Sequence, residues 1–248
     1  MKGTQVKVKY LFVILFLILL QGCIANPKYH IDIDSISATN SKVGNSFILI
    51  PGTKEIKEGD LQYQEFSGYI IKALESKGYK KVSSILDADL AIYLVYGIGD
   101  PETQQYTYSV PIYGQTGVSS STTSGTITSN GNYSGRTTHT PTYGVTGSSM
   151  RTKSYTTYFR YMILEAIDVQ EYKKTKVEKQ VWKTTVTSTG SSGDLRQVFP
   201  ILVAASKSYI GTNTGRKIQV KLLESDKSVL AVKGIKVTPP PKKNSYIE

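Results

Sequence analysis

Cysteine is almost missing from this 248-residue chain, where Cys23 stands alone. One cysteine excludes an intramolecular disulfide and a zinc–thiolate cluster, so a core of side chains has to hold the fold. Histidine is nearly as scarce, with only His30 and His139, and neither sits in a spacing that suggests a general base. The chain has no Gly-x-Ser-x-Gly elbow and no His-Glu-x-x-His zinc motif. Long hydrophobic runs are lacking too. The most apolar stretch, Tyr10–Leu20, falls short of the roughly 20 residues a membrane-spanning helix needs. Acidic residues number 19 against 30 basic ones, for a formal charge of +11.

What is present at the N-terminus is specific. Lys2, Lys7 and Lys9 precede the apolar run, and Leu20, Gln21, Gly22 and Cys23 close it. A basic start, a short apolar core and small residues at a cut site read as an export signal. Leu-x-Gly-Cys in that position resembles the bacterial lipobox. The resemblance implies cleavage between Gly22 and Cys23, with Cys23 becoming an N-palmitoyl, S-diacylglycerol cysteine. Several acyl chains hold a protein on a membrane where a single chain is marginal. Ile24 follows, where an Asp would resemble the inner-membrane retention signal. The expected location is therefore the outer membrane, facing the periplasm, or the outer face of the cell membrane in a one-membrane host.

That places residues 1–22 in a signal peptide, 23–28 in a lipidated tether, 29–235 in a folded domain and 236–248 in a Pro/Lys tail. Three of the positive charges leave with the signal. An exported protein does not meet chromosomal DNA, so no nucleic-acid partner is expected despite the basic balance. Anionic headgroups and cell-wall polymers are the acidic partners at hand. The lysines are scattered, as on an ordinary solvated surface.

Alternation over Tyr29–Ile36 and the compact run Ser46–Ile50 predict two strands. Tyr63, Phe66, Ile70, Ala73, Leu74 and Lys77 recur at helical spacing, predicting a helix from Leu61 to Lys77 with Asp60 as its N-cap and Gly78 as its stop. Leu90–Ile98 and Tyr106–Tyr113 read as strands, the second at an edge because of Pro111. Gly114–Ser149 is mostly Ser, Thr and Gly, and residues 114–149 are expected to form a flexible low-complexity loop. Similar octets, Val110–Gly117 and Thr140–Gly147, flank it, as a weak repeat or as two arms of one hairpin. Ser154–Ile167 and Val177–Ser188 read as paired strands joined by a turn at 172–176. A second helix starts at Asp194, or at Pro200 acting as N1, and Ile218–Leu223 is a last strand. The expected fold is α+β: one mainly antiparallel sheet, two helices packed on one face, and the long loop inserted in a hairpin.

Candidate chemistry is thin. Asp32 and Asp34 share one strand face, where a hard cation could bridge them or where they simply face solvent. Asp87 and Asp89 read as turn and strand-entry residues. Gly211–Lys217 has glycines one residue too close for a phosphate loop and follows a helix, so it is rejected. Tyr106, Tyr108, Tyr113, Tyr143, Tyr155, Tyr158 and Tyr161 gather around the Ser/Thr/Gly segment. Their rings suit sugar or peptide stacking, and equally suit exposed strands. Strands near 106–113 and 154–164 approach the length of barrel strands, but Arg160 and the hydroxyls leave no continuous lipid-facing band.

Phe47–Pro51, the Ile70–Leu74 helix with Gly78 and Tyr79, and Ala88-Asp89-Leu90 before a tyrosine-bearing strand resemble a family of uncharacterised bacterial outer-membrane lipoproteins. The likeness is concentrated in residues 46–98. It implies an address and a fold, and no reaction, so no catalytic, cofactor or metal residues are nominated. The expectation is a non-enzymatic binding or scaffolding module, with an envelope protein or cell-wall polymer as partner. The alternatives are a hydrolase using carboxylates such as Asp32 and Asp34, and an oligomeric secretion or pore component.

Overall fold

The computed structural model describes residues 28–39 and 43–236. Gly22, Cys23 and the tether up to residue 27 therefore lie outside the described residues, as does the Pro/Lys tail beyond Lys236. The chain divides into two compact units, one made of residues up to Asp100 and from Tyr158 onward, the other of Pro101–Thr157.

The first unit is a mixed α/β assembly on an open sheet. Strand β1 is Lys28–Ser37 and β2 is Ser46–Pro51; helix α1 is Leu61–Glu75, and β3 (Lys80–Lys81) and β4 (Leu90–Ile98) follow. After β5 (Glu102–Ile127) come β6 (Tyr133–Asp168), α2 (Val169–Thr175), β7 (Gln180–Gly190), α3 (Leu195–Ser206), β8 (Ile218–Leu223) and α4 (Lys227–Lys233). The sheet order is β3-β2-β4-β6-β7-β1-β8. Strand β2 runs parallel to β3 and β4, and the remaining pairs are antiparallel. A parallel pair requires a crossover of a dozen or more residues, and α1 supplies it between β2 and β4.

Alternation sets one face of this sheet against the core. Ile31 and Ile33, Phe47 and Leu49, Leu90, Ile92 and Leu94, and Met162, Leu164 and Ala166 are buried in one cluster with the stripe of α1 and most of α3. The rings of Phe66 in α1 and Phe199 in α3 stack with centroids 3.9 Å apart and planes 5° apart. Tyr96 of β4 meets both rings edge-on.

The ends of the helices answer the sequence expectations unevenly. Asp60 occupies the N-cap position of α1, but its carboxylate turns back to accept the Lys57 amide at 3.1 Å and caps nothing. Gly78, at φ +90°, reverses the chain so that the Tyr79 amide donates to the Leu74 carbonyl at 3.2 Å. Helix α3 begins after Asp194, whose Oδ1 accepts the Arg196 and Gln197 amides at 2.9 and 3.2 Å. Pro200 consequently lies inside the helix, and the Arg196 carbonyl lacks its usual donor. The described residues contain four helices where the periodicity gave two. Both extra ones, α2 and α4, have seven residues, too few for a readable stripe. Part of the expected turn at 172–176 is thus helical.

The opposite sheet face carries Tyr93, Val95, Ile163, Thr185 and Thr187, all half-buried, with Asp34 exposed. At one end α2 covers it, as Val169 packs with Ala88, Ala91, Ile48, Ile50 and Val82.

The second unit corrects the expected flexible loop. Residues 114–149 are strand for most of their length, the distal arms of a hairpin in which β5 pairs antiparallel with residues 133–157 of β6. Missing apolar area does not prevent pairing here, because the segment has a second resource. Threonine suits extended backbone, and hydroxyls link facing residues: Thr103 with Thr156 at 3.0 Å, Thr123 with Thr137 at 2.9 Å. Register shifts occur at three places, between Ile112 and Ser120. At the tip the Thr128 amide donates to the Asn132 carbonyl at 3.0 Å, and Gly131 takes φ +81°. Of the two readings of the flanking octets, they are the arms of one hairpin.

Candidate interaction site

The carboxylates and histidines named from sequence do not converge. Asp32 accepts a hydrogen bond from Gln219 at 3.2 Å, and Asp34 is exposed on the same face of β1. His30 is also exposed and lies across from Lys221 of β8. His139 bonds Ser121 at 2.7 Å within the hairpin. Among the described residues no three His, Cys, Asp or Glu side chains gather as metal ligands. Asp89 fastens the start of β2, accepting the Ser46 amide at 3.1 Å and its hydroxyl at 2.5 Å. Several amides of the turn at 211–217 are engaged within the protein: Gly211 donates to Thr184, Thr214 to Ser35 and Gly215 to Asn213.

The tyrosines divide between the units. Tyr158 and Tyr161 belong to the sheet, where Tyr161 covers Gly97. The others line the hairpin. Tyr106 lies 5.9 Å from Tyr108 and 6.1 Å from Tyr155, ring to ring, and the Tyr155 hydroxyl donates to Gln104 at 2.5 Å. Tyr113, Tyr143, Ile127 and Met150 are among its most exposed large side chains. Beyond its own pairing, neither arm has a strand neighbour among the described residues, so each outer edge presents unpaired N–H and C=O groups along a 26-residue strand and its partner.

Two side chains that sequence reasoning did not single out as site residues also stand out, both in the first unit. Trp182 is 3% exposed, yet its indole N–H has no acceptor among the described residues. It lines a cleft of about 500 Å³ with Tyr79, Lys77, Ile210 and Gly211. Burial raises the Tyr79 pKa, and burial lowers that of Lys77, which donates to the Ser208 carbonyl at 3.0 Å. Gly211 is required there: its φ is +70°, and a Cβ would stand 2.9 Å from the Tyr79 hydroxyl. The cleft can take a flat apolar group that carries a hydrogen-bond acceptor. The second side chain, Arg160, is 1% exposed. The signal for both lay in parity, since Arg160 shares its strand face with Met162, Leu164 and Ala166.

Comparison with family models and with curated proteins finds no match. Among solved structures the chain is similar to the crystal structure of a PDZ domain protein from Parabacteroides distasonis ATCC 8503, at 12% identity and a TM-score of 0.36. The match covers 78% of this chain and 38% of that one, so the chain spans well under half of that protein's length. A likeness this slight carries no argument about function.

Proposed function

We propose that this protein is a non-enzymatic binding or scaffolding module of the bacterial envelope, held on the outer membrane by lipid at Cys23, with the hairpin as its binding element. The reading keeps the resemblance to outer-membrane lipoproteins and treats the mainly antiparallel sheet, with α1 and α3 on one face, as the platform. One observation carries it: among the described residues, both edges of the hairpin are open. A two-stranded ribbon is marginal in water by itself, and open edges are templates for strand addition. A polypeptide partner satisfies such an edge through its own backbone, with the exposed tyrosines adding contact area. That favours an envelope protein over a cell-wall polymer.

The test is recovery of partners from membranes by the intact chain and by a deletion of residues 114–149. Loss of specific partners on deletion is expected; an unchanged set would remove the hairpin from the reading. Anchoring is tested separately. Labelled palmitate should enter the wild type and not Cys23→Ser, and equal labelling would sink the lipoprotein reading.

A second reading has its own support. The arms of β5 and β6 are far longer than the roughly 9–11 residues of a membrane-spanning strand. Further copies of the hairpin could close both edges in a ring, as in a secretion or pore component. Cross-linking in intact cells should then yield a ladder of homo-oligomers, and monomer alone would exclude it.

A further inference from the structure

Arg160 is the bulkiest of the fully buried side chains. Among the described residues none of the three ion pairs involves it, and no carboxylate lies within 4.0 Å of its guanidinium. Its Nη1 donates to the Ser192 carbonyl at 2.9 Å and its Nη2 to the Ser188 hydroxyl at 3.0 Å. Nε has no partner. The two carboxylates whose charge reaches the neighbouring Tyr29, Glu224 and Asp194, are committed elsewhere: Asp194 caps α3, and Glu224 accepts from Lys233 and Gln197. Burial lowers the Arg160 pKa, but a guanidinium keeps its charge at any ordinary pH. A buried cation with only neutral acceptors is among the costliest arrangements in a protein interior.

The cation borders a hollow. Arg160 lines a cavity of about 160 Å³ together with Lys28, Tyr29, Thr189, Ser191 and Ser192. That space holds several water-sized groups. Lys28 adds a second positive charge at its wall, and no acidic side chain lines it. Gly190 keeps it open, because a Cβ there would stand 2.9 Å from Nη2 of Arg160.

We propose that this cavity binds a phosphate-class oxyanion, with the free guanidinium donors of Arg160 as its main ligand and Lys28 and the hydroxyls of Thr189 and Ser191 around it. Arginine matches such oxygens with paired donors and fixed geometry. The phosphate can come from a phospholipid headgroup or from free phosphate. Only the first source rests on the anchoring at Cys23; the second stands without it.

The test is thermal unfolding of the full-length chain bearing Cys23→Ser, kept in nonionic detergent. Three additions are compared at equal ionic strength: inorganic phosphate, short-chain phosphatidylglycerol, and a phosphate-free glycolipid of the same chain length with chloride. Phosphate or phosphatidylglycerol should raise the midpoint by about 2–4 °C over the chloride control. A rise with phosphatidylglycerol at concentrations where inorganic phosphate does nothing identifies the headgroup. A rise with inorganic phosphate alone identifies the free anion. Two variants keep the proposal falsifiable without emptying the site. Arg160→Lys should lose most of the rise, and Ser191→Asp should raise the midpoint unaided and then ignore phosphate. No rise with either phosphate source, or the same rise in both variants, overturns the proposal.

Discussion

Single buried polar groups make unequal demands on this fold. The hydroxyls of Ser35 and Thr184 meet at 2.7 Å in the core, and Thr184 also accepts the Gly211 amide at 3.3 Å. Thr184→Val orphans both partners and should cost about 1–3 kcal/mol, while Ser35→Ala removes one link and should cost about 1 kcal/mol. Urea unfolding of the two variants checks that order. Glu224 behaves differently, because hydrogen bonds from Lys233 and then Gln197 hold its pKa below the usual glutamate range. Its stabilisation is complete above the ordinary pKa of an unfolded glutamate and is lost as pH falls through the lowered folded value. Glu224→Gln should therefore flatten the acid side of a midpoint-versus-pH curve by lowering the neutral region slightly, with the midpoint in acid nearly unchanged. Partial exposure keeps the effect small, and salt should shrink it.

At the scale of elements, the two long helices differ in how they begin. Asp194 satisfies two first-turn amides of α3, so Asp194→Ala should cost about 1 kcal/mol. Asp60→Ala removes no cap bond from α1 and should change the unfolding midpoint far less; equal losses would contradict the difference in geometry. The same contrast marks how far the sequence could be read. Strands β1, β2, β4 and β7 and helix α1 were legible because burial imposes a period on their side chains. That period names a position and leaves the direction of a carboxylate open, which is why Asp60 was placed correctly but given the wrong partner. The proximal hairpin was legible as the Tyr106–Tyr113 strand and the paired octets, but its distal arms within 114–149 read only as composition, since strands rich in Thr, Ser and Gly leave no apolar alternation. Arg160 shows the opposite failure. Its parity with Met162 and Leu164 pointed inward, but an arginine is expected outside unless something pairs with it.

For the whole molecule, six tyrosines describe how tightly the sheet and helices are sealed. Burial raises the pKa of Tyr29, Tyr63, Tyr69, Tyr79, Tyr93 and Tyr96, most strongly for Tyr63, whose hydroxyl donates to the Leu49 carbonyl at 3.3 Å. Phenols that resist ionisation when folded leave stability intact below the unfolded tyrosine pKa, about 10, and erode it as pH climbs past that value. Alkaline titration should therefore show phenolate absorbance from these residues rising together with loss of the circular dichroism signal. Ionisation well ahead of unfolding would show that the seal is loose.

Strand β1 has a consequence for the order of events when the chain folds. It is the first described element, yet its partners are β7 and β8: Ile33 faces Val186 on one side and Ile218 on the other. The Ser35 amide meets the Thr214 hydroxyl across 179 positions of sequence. Separations of this size slow folding, because a long loop must close before the contact returns anything. A chain synthesised N-terminus first presents β1 early and must wait for nearly all of the rest. Until Ile218–Leu223 arrives, β1 remains a sticky edge that needs protection from its neighbours.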